Sequence, residues 1–257
     1  MIAFENIQKT FGTKQVLFGV DGELRPGRCN LIIGSSGTGK SVLLKSIVGL
    51  IPPDEGRVMY DGRDFYAGET DVKIEVRREI GMLFQGSALF DSKTVAQNVS
   101  FPLDMMTKMS ADEKHDRVQF CLQRVGLEGS DEKMPSELSG GMQKRVGIAR
   151  AIVMKPRYLF CDEPNSGLDP QTSIKIDELI QEITLENDIT TVVVTHDMNS
   201  VMGIGDHIIF LAKGYKIWEG TRDEILYAEN EKLDEFIFAS KIMRAMKKDG
   251  WKDRGIG

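Results

Sequence analysis

One glycine-rich stretch of this sequence carries residue types suited to binding phosphate. It fits the pattern G-x-x-x-x-G-K-[ST] at every fixed position, and its residues are Gly34, Ser35, Ser36, Gly37, Thr38, Gly39, Lys40 and Ser41. The glycines let backbone N–H groups approach phosphate oxygens closely. We expect Lys40 to reach the β- and γ-phosphates and the Ser41 hydroxyl to ligate Mg²⁺. Val42, which follows the loop, is counted among the nucleotide-binding residues, and the stretch predicts a nucleoside triphosphate site.

Two adjacent acids follow a short apolar run farther along the chain. The apolar run of residues 158–161 predicts a buried strand over 158–162, and Asp162 and Glu163 stand at its carboxyl end. Ligands of a parallel sheet bind at the carboxyl ends of its strands, so both carboxylates are expected at the same edge as the phosphate loop. We expect Asp162 to hold Mg²⁺ and Glu163 to polarise the attacking water as general base. Adjacent acids at a strand end are often only solvated, and the upstream loop is what favours catalysis.

A second glycine-containing stretch lies between these two motifs, namely Leu138, Ser139, Gly140 and Gly141. Ser139 is a suitable N-cap for the helix that follows, and the glycines leave bare N–H groups facing outward. One chain does not need two anion-binding sites for one triphosphate. If two copies pack head to tail with twofold symmetry, this stretch of one copy covers the γ-phosphate held by the other. The alternative is an ordinary capped helix start.

Apolar periodicity and turn signals predict an α/β fold with a mainly helical insertion. Strands are expected at residues 2–7, 20–24, 30–33, 57–60, 80–84, 158–162, 190–195 and 208–211. Helices are expected over residues 42–50, from the capping box of Ser110 and Glu113 to Gly126, from Ser139 to Pro156, after Asp169, and after a second capping box at Thr221 and Glu224. This order places the phosphate loop between a strand and a helix, as a true phosphate loop requires.

Composition and charge narrow the class of protein. The 257 residues fit one large domain, and 41% hydrophobic and 28% charged residues are ordinary for a soluble globular protein. No apolar run approaches the roughly 18 residues that span a bilayer, and the first residues do not resemble a secretion signal. We expect a cytoplasmic protein, and this composition is compatible with docking on a membrane protein. The net charge of −6 argues against nucleic acid as a partner.

The chain has three cysteines and a basic C-terminal end. Cys29, Cys121 and Cys161 are odd in number and far apart, so we expect buried thiols rather than a disulfide framework or zinc. The end of the chain is basic, with Lys241, Arg244, Lys247, Lys248, Lys252 and Arg254 against Asp249 and Asp253. This tail is either simply solvated or makes contact with a partner or anionic lipid headgroups.

With the three motifs in this order, the sequence resembles the ATP-binding cassette (ABC) ATPases. Gln85 after a strand resembles the Q-loop of that family, residues 166–169 resemble its D-loop, and His196 resembles its switch histidine. The resemblance implies that Gln85 senses Mg²⁺ and water, that His196 holds the γ-phosphate, and that Asp169 links two sites across a dimer. Phe11 matches the position of the aromatic residue that stacks on adenine, where tyrosine is commoner.

The same resemblance implies a fold class and a domain division. The fold class is α/β, with a P-loop NTPase (RecA-like) core, an antiparallel β subdomain and an inserted helical subdomain. The ATPase domain would comprise residues 1–228, with the core at 1–87 and 156–228 and the helical signature subdomain at 88–155. Residues 229–257 would form a C-terminal helical tail.

Met142 departs from the usual ABC signature, and its surroundings resemble one branch of the family. Met142 stands where the usual signature has glutamine, which removes a polar side chain but leaves the backbone donors. Together with residues 85–91, 98–103 and 135–142, it resembles the Mla/Mce-type lipid-transport ATPases. That resemblance implies a homodimer that drives an integral-membrane permease with MCE-type lipid-binding proteins, at the cytoplasmic face of the bacterial inner membrane. An importer or exporter of another substrate is the alternative.

Two other classes of function fit the sequence less well. Ribosome-associated ABC proteins usually carry two cassettes in one chain, and DNA-repair types insert long coiled coils between the phosphate loop and the signature. Neither feature is present here. A small-molecule P-loop kinase would not need the signature, the D-loop or the switch histidine. The sequence therefore favours the ATPase subunit of a transporter.

Overall fold

The computed structural model describes residues 1–225 and 227–238. The strands are β1 (Ile2–Phe11), β2 (Lys14–Leu24), β3 (Cys29–Ile33), β4 (Glu55–Tyr60), β5 (Arg63–Asp64), β6 (Ile80–Leu83), β7 (Tyr158–Asp162), β8 (Thr190–Thr195), β9 (His207–Ala212) and β10 (Tyr215–Gly220). The helices are α1 (Lys40–Val48), α2 (Thr70–Arg78), α3 (Val95–Met106), α4 (Ala111–Arg124), α5 (Gly140–Ile152), α6 (Pro170–Glu186), α7 (Met198–Ile204), α8 (Arg222–Ile225) and α9 (Glu231–Ile237).

A six-stranded sheet, in the order β10-β9-β3-β8-β7-β6, forms the centre of the molecule. All its neighbours are parallel except β10 and β9. The register places Ile33 beside Thr195, and Leu83 beside Cys161. Because parallel strands end at one edge, the segments that follow β3, β6, β7 and β8 meet there. All the sequence motifs that follow a strand are therefore delivered to the same edge.

Both faces of this sheet are buried. Along β3, Leu31 and Ile33 belong to a core shared with the long helices, whereas Ile32 belongs to a second core shared with α1 and the smaller sheet. Burial on both faces explains why the parallel strands are continuous apolar runs. The cysteines are free and buried as expected, within the first core. The α/β fold class is thereby confirmed.

A four-stranded antiparallel sheet, in the order β2-β1-β4-β5, covers the second core. Its first two strands are longer than the sequence predicts. The hairpin pairing continues to Phe11 opposite Lys14, and Gly12 supplies the left-handed turn with φ of 59°. The outer ends of these strands are mostly polar and half-buried or exposed, so pairing holds them in the sheet where burial does not. Apolar patterning alone could not detect them.

Between β6 and β7 the chain is helical, as expected. Ser110 and Glu113 form the predicted capping box at α4, and Ser139 caps α5. The helix α5 ends at Ile152, ahead of Pro156. The structure adds α2, which the sequence analysis did not predict because α2 is strongly polar and buries little beyond Val76.

Within residues 1–225 and 227–238, none of the helices has the length and apolar character that crossing a bilayer requires. The basic residues of the tail, from Lys241 to Arg254, lie outside the described residues.

Candidate functional site

The phosphate loop connects β3 to α1 and folds around the Lys40 side chain. The Lys40 ammonium donates hydrogen bonds to the main-chain carbonyls of Gly34 at 2.8 Å and Ser35 at 3.1 Å. Gly39, with φ of 101°, is the N-cap of α1 and makes no side-chain cap bond. The first N–H groups of α1 are thus left without a side-chain cap, which is the arrangement that binds anions at helix N-termini.

The turn between β9 and β10 supports this loop from behind. A Cβ atom on Gly34 would lie 2.2 Å from the carbonyl oxygen of Leu211, so only glycine allows the close approach. The Gly214 N–H donates to the carbonyl of Thr38 at 3.2 Å. The loop is therefore fixed by a segment that comes much later in the chain.

A groove of about 420 Å³ runs beside the phosphate loop. Its lining comes from the start of β2, the loop and α1, and the β9–β10 turn, and comprises Lys14, Gln15, Val16, Phe18, Gly37, Gly39, Lys40, Ser41, Val42, Lys213 and Gly214. Val42 is among these lining residues, and its contact with nucleotide stays a prediction. Phe11 is not in this lining, because it lies at the tip of the hairpin, 46% exposed, with the Lys9 ammonium 5.5 Å above its ring. Adenine stacking on Phe11 stays a prediction.

Asp162, the last residue of β7, meets the loop. The Ser41 hydroxyl donates to Asp162 Oδ1 at 2.8 Å, and Asp162 is buried. A hydroxyl and a carboxylate oxygen side by side are ligands that suit Mg²⁺. Among the described residues there is no cluster of three or more acids, histidines and cysteines that could hold a metal on its own.

The second acid has an unusual backbone conformation. Glu163 has φ of 49°, in the left-handed region that non-glycine residues seldom adopt. Its N–H donates to the carbonyl of Val194 at 2.9 Å. Its carboxylate lies 3.8 Å from the Lys40 ammonium and 2.8 Å from His196 Nδ1. Three predicted site residues are thus brought together.

Two of these groups differ in exposure. Burial lowers the pKa of Lys40, and the neighbouring charges of Glu163 and Asp162 oppose that shift. His196 follows β8 and its side chain is 57% exposed. The buried Lys40 and the half-buried Glu163 form the inner part of the site, and His196 lies on its solvent side.

Gln85 lies at the same sheet edge but contributes differently. It is exposed, and within the described part of the chain its recorded hydrogen bond runs through the main-chain carbonyl, which accepts from the Lys144 ammonium. Its predicted contact with Mg²⁺ stays a prediction. The sequence analysis missed Lys144, because nothing in the pattern of α5 distinguishes it from a solvated lysine.

The signature stretch and the D-loop lie together on the surface. The Ser139 hydroxyl accepts from the Met142 N–H at 3.3 Å, and Ser139 and Gly140 are exposed. A Cβ on Gly141 would lie 2.7 Å from Thr172 in α6. None of these residues lines the groove beside the phosphate loop. Met142 is half-buried against the first core, which gives its apolar side chain a packing role.

Asp169 is the N-cap of α6. Its carboxylate accepts from the Thr172 N–H at 3.0 Å and from the Thr172 hydroxyl at 2.6 Å, and these bonds lower the pKa of Asp169. Asp169 is exposed and close to the signature stretch of the same chain. The predicted second anion site and the predicted dimer contact thus share one surface.

Comparison with known proteins assigns a family to this arrangement. The family model described as ABC transporter matches residues 17–166. The probable ribonucleotide transport ATP-binding protein mkl of Mycobacterium leprae is 37% identical over 241 residues, 94% of this chain and 70% of that protein. The chloroplastic protein TRIGALACTOSYLDIACYLGLYCEROL 3 of Arabidopsis thaliana is 36% identical over 256 residues, with 93% and 74% covered. The methionine import ATP-binding protein MetN of Caulobacter vibrioides is 40% identical over 240 residues, with 92% and 72% covered.

A solved structure agrees with these relatives. A dimeric ATP-binding cassette in a post-hydrolysis state, bound to ADP and Pi, is 34% identical with a TM-score of 0.79, covering 86% of this chain and 99% of that one. ATP binding and ATP hydrolysis follow from this membership, as the phosphate loop and the two acids predict. The chain belongs to the ABC transporter family and is an ATP-hydrolysing subunit of that family, whose members work with membrane permease components.

Proposed function

We propose that this chain hydrolyses ATP within a dimer of itself in order to drive a membrane permease that moves lipids. The observation that carries the hydrolytic part is the meeting of Lys40, Glu163 and His196, with distances of 3.8 and 2.8 Å to the Glu163 carboxylate. Glu163 would accept the proton of the attacking water. His196 and Lys40 would contact the γ-phosphate, where negative charge develops during transfer.

Ser41, Asp162 and Gln85 would hold Mg²⁺. The first two fit because their oxygens are already hydrogen-bonded at 2.8 Å. When bound, the ion neutralises charge on the phosphate oxygens. The buried Asp162 would keep the Ser41 hydroxyl directed at this position.

A second copy of the chain would complete each site. Ser139, Gly140 and Asp169 are exposed and do not line the groove beside their own phosphate loop. The helix α5 would present its N-terminal N–H groups to the triphosphate bound by the other copy. The related cassette bound to ADP and Pi is dimeric, which supports this arrangement. The proposed division is an ATPase domain at residues 1–228, with a helical subdomain at 88–155, and a tail at 229–257.

The permease would dock in a groove of about 480 Å³ between β6, α3 and α5. Its lining is mostly apolar and includes Phe84, Ala88, Phe90, Phe101 and Met106, with Arg77, Arg78 and Arg150 among its polar members. The Phe90 and Phe101 rings lie 4.7 Å apart. An apolar groove bordered by arginines suits a short amphipathic helix with acidic residues. Because Phe84 precedes Gln85, docking there would act directly on the nucleotide site.

A lipid is the proposed cargo. The branch resemblance carried by Met142 and its flanking residues supports it, and one relative is named after a glycolipid. An MCE-type lipid-binding protein would be part of the assembly, and the subunit would sit at the cytoplasmic face of a bacterial inner membrane. Ribonucleotide and methionine are the competing cargoes, since two other relatives are named for them.

The experiment is reconstitution of the chain with the permease that copurifies from its own membrane. We expect phospholipid in the proteoliposomes to stimulate ATP hydrolysis and labelled phospholipid to leave the bilayer in an ATP-dependent way. Methionine and ribonucleotides, added separately, should do neither. The Glu163→Gln variant in the same complex is the matched control. Stimulation by methionine or by a ribonucleotide, with none by phospholipid, would replace the lipid proposal with an importer or exporter of that solute.

A further inference from the structure

Lys144, in the first turns of α5, is a buried cation whose contacts are not explained by nucleotide binding. Only 5% of the residue is exposed. Its ammonium donates to the main-chain carbonyl of Gln85, and it lies 3.4 Å from the main-chain carbonyl oxygen of Glu163. A buried ammonium needs such acceptors, because an unpaired charge in the interior is strongly unfavourable. The position of Lys144 is therefore tied to both carbonyls.

The two acceptors belong to different loops of the catalytic edge. Gln85 follows β6, and Glu163 follows β7 directly. These strands are parallel neighbours, with Leu83 beside Cys161. The Lys144 side chain thus contacts both the segment after β6 and the segment after β7. The same helix begins, one turn earlier, with the signature glycines.

The contact matters because of how Glu163 is held. Its main chain is in the left-handed region, with φ of 49°, and a residue stays in that region only when its surroundings hold it there. The Val194 carbonyl accepts from the N–H of Glu163 at 2.9 Å, and the Glu163 carbonyl accepts from the Ser166 N–H at 3.2 Å and from Lys144 at 3.4 Å. Of these contacts, Lys144 is the one that also joins the main chain of Glu163 to the segment after β6. From this backbone the Glu163 carboxylate extends toward Lys40.

We propose that Lys144 is a positioning residue for hydrolysis, which fixes the main chain of Glu163 relative to Gln85 and thereby sets the aim of the catalytic carboxylate. It touches no reacting atom and acts through Glu163. Binding of ATP would depend little on it, because the loop around Lys40 is held by its own carbonyls and by the β9–β10 turn.

Arg150, another cation of α5, makes different contacts from those of Lys144. Arg150 donates to the carbonyls of Ser87 at 2.5 Å and Ala88 at 2.7 Å, and both acceptor residues have left-handed backbones. These hydrogen bonds of Arg150 hold the segment after β6 and do not involve Glu163. Of these two cations, Lys144 is the one that reaches the general base.

The inference deepens the proposed function and rests on it in one respect. The groove offered to the permease is lined by Phe84, Ala88 and Arg150, on the segment whose Gln85 carbonyl Lys144 binds. Movement of a docked permease segment would shift that carbonyl, and Lys144 would pass the shift to Glu163. Hydrolysis would then respond to the state of the permease.

The test compares Lys144→Met and Lys144→Gln in the purified full chain. Methionine fills the space but donates no hydrogen bond, whereas glutamine keeps an amide donor. We expect Lys144→Met to lower kcat by about 10- to 100-fold while the KM for ATP changes less than about twofold, because a misplaced catalytic group costs turnover rather than binding. Lys144→Gln should recover most of the lost kcat. The matched control is Lys114→Met, which removes a lysine paired at 2.8 Å with Asp104 on the helical lobe.

Several outcomes would overturn the inference. These are an unchanged kcat in Lys144→Met, an equal loss of ATP affinity and kcat, a loss in Lys144→Gln as large as in Lys144→Met, or the same loss in Lys114→Met. Thermal unfolding of each variant identifies a general loss of stability, which would lower binding and turnover together. The kinetic test uses the chain without a permease, so failure of the lipid-transport proposal leaves its result intact. In the reconstituted complex, Lys144→Met should also reduce the fold-stimulation by the permease.

Discussion

At the scale of single residues, the site depends on a glutamate held in an unfavourable backbone conformation. Glu163 is fixed at its N–H by Val194, and its carboxylate lies between Lys40 and His196. Such an arrangement is typical of functional positions, where the surrounding structure stabilises a local strain. Among the described residues, Glu163 is the only acid in contact with both Lys40 and His196. Its backbone conformation directs this carboxylate toward the phosphate loop.

Glu163→Gln tests the role of this carboxylate. The amide keeps the size of the side chain but cannot accept the proton of water, so we expect hydrolysis to fall by about 10²- to 10⁴-fold. ATP binding should remain, and an ATP-bound dimer should accumulate. Phosphate release and size-exclusion chromatography with ATP measure the two effects. Glu178→Gln, at an exposed position of α6, is the control. Normal turnover in Glu163→Gln would assign the general base elsewhere.

At the scale of elements, the N-terminus of α5 is set apart by its exposure. Its capping residue Ser139 and the following Gly140 face solvent, whereas the second half of the helix is mostly buried in the first core. A buried helix with a bare, glycine-rich beginning can bind an anion with little loss of its own stability. The exposed N-terminus of α5 can therefore be substituted without disturbing the buried second half of the helix.

Ser139→Arg should block hydrolysis and leave ATP binding by the monomer nearly intact, because the arginine obstructs the site offered to the other copy. Ser110→Arg is the matched control, since Ser110 caps α4 through the same hydroxyl-to-backbone bond. Both variants lose a cap worth about 1 kcal/mol. The measurements are ATP affinity by equilibrium binding and turnover by phosphate release. Equal loss of binding and turnover in Ser139→Arg would place the signature stretch in its own chain's site.

A polar network links α6 to α7 beneath the same edge. The Asn165 amide donates to Asp177 at 2.8 Å and to the Ser200 hydroxyl at 3.0 Å, and Asp177 is 5% exposed. Burial raises the pKa of Asp177 from 3.8 to about 6, with Asp197 and Glu178 adding to the rise and the hydrogen bonds opposing it. The folded state therefore binds more protons than the unfolded state between these pH values, and stability falls as pH rises through that window.

Asp177→Asn should remove this dependence. A rise in pKa from 3.8 to about 6 corresponds to about 3 kcal/mol. Relative to the wild type, the variant should gain free energy of unfolding by roughly that amount between pH 4 and pH 7. Urea unfolding at both pH values measures it, and Asp116→Asn, at an exposed position of α4, controls for the lost charge. A difference between variant and wild type that does not change with pH would contradict the prediction.

At the scale of the whole molecule, a site shared by two copies makes activity depend on concentration. Turnover per chain should fall as the enzyme is diluted below the dissociation constant of the ATP-bound dimer. The measurement is ATPase activity over a dilution series, with sedimentation at the same concentrations. Turnover that stays proportional to the amount of chain, where sedimentation shows only monomers, would mean that one copy suffices.

Mixing two inactive variants gives an independent test. If the proposed sites are correct, Lys40→Ala removes the phosphate contact and Ser139→Arg blocks the signature stretch. In a mixed dimer, the phosphate loop of one copy meets the signature of the other in a single intact pair. Random pairing should restore about one quarter of the wild-type sites. No recovery above the separate variants would argue for sites within single chains.

Much of this molecule could be predicted from local sequence, for a physical reason. The capping bonds of Ser110 and Ser139 lie within a few residues, and the phosphate loop and the acids at the end of β7 are marked by pattern and spacing, although the loop is also supported by the β9–β10 turn. Lys144 could not be found in this way, because its burial and its contacts depend on β6 and β7. The left-handed conformation of Glu163 likewise depends on the neighbouring β8.

Some strands and helices could likewise be predicted from local sequence, whereas others depend on contacts with distant residues. The outer half of β1 and the start of β2 are held by pairing with each other, and α2 is held by few apolar contacts. The two strand segments show no clear apolar alternation, and α2 has few apolar residues in a strongly polar stretch. By contrast, β3 and β8 are continuous apolar runs and were found within one residue of their observed limits.

The support of the phosphate loop by Leu211 and Gly214 has a consequence for the synthesis of this protein. A nascent chain exposes residues 34–41 early, but these lack their backing until β9 and the turn after it have left the ribosome. ATP should therefore stabilise the finished fold and give little protection to shorter translation intermediates. We therefore expect nucleotide affinity to develop late in translation, once the β9–β10 turn can pack behind the loop.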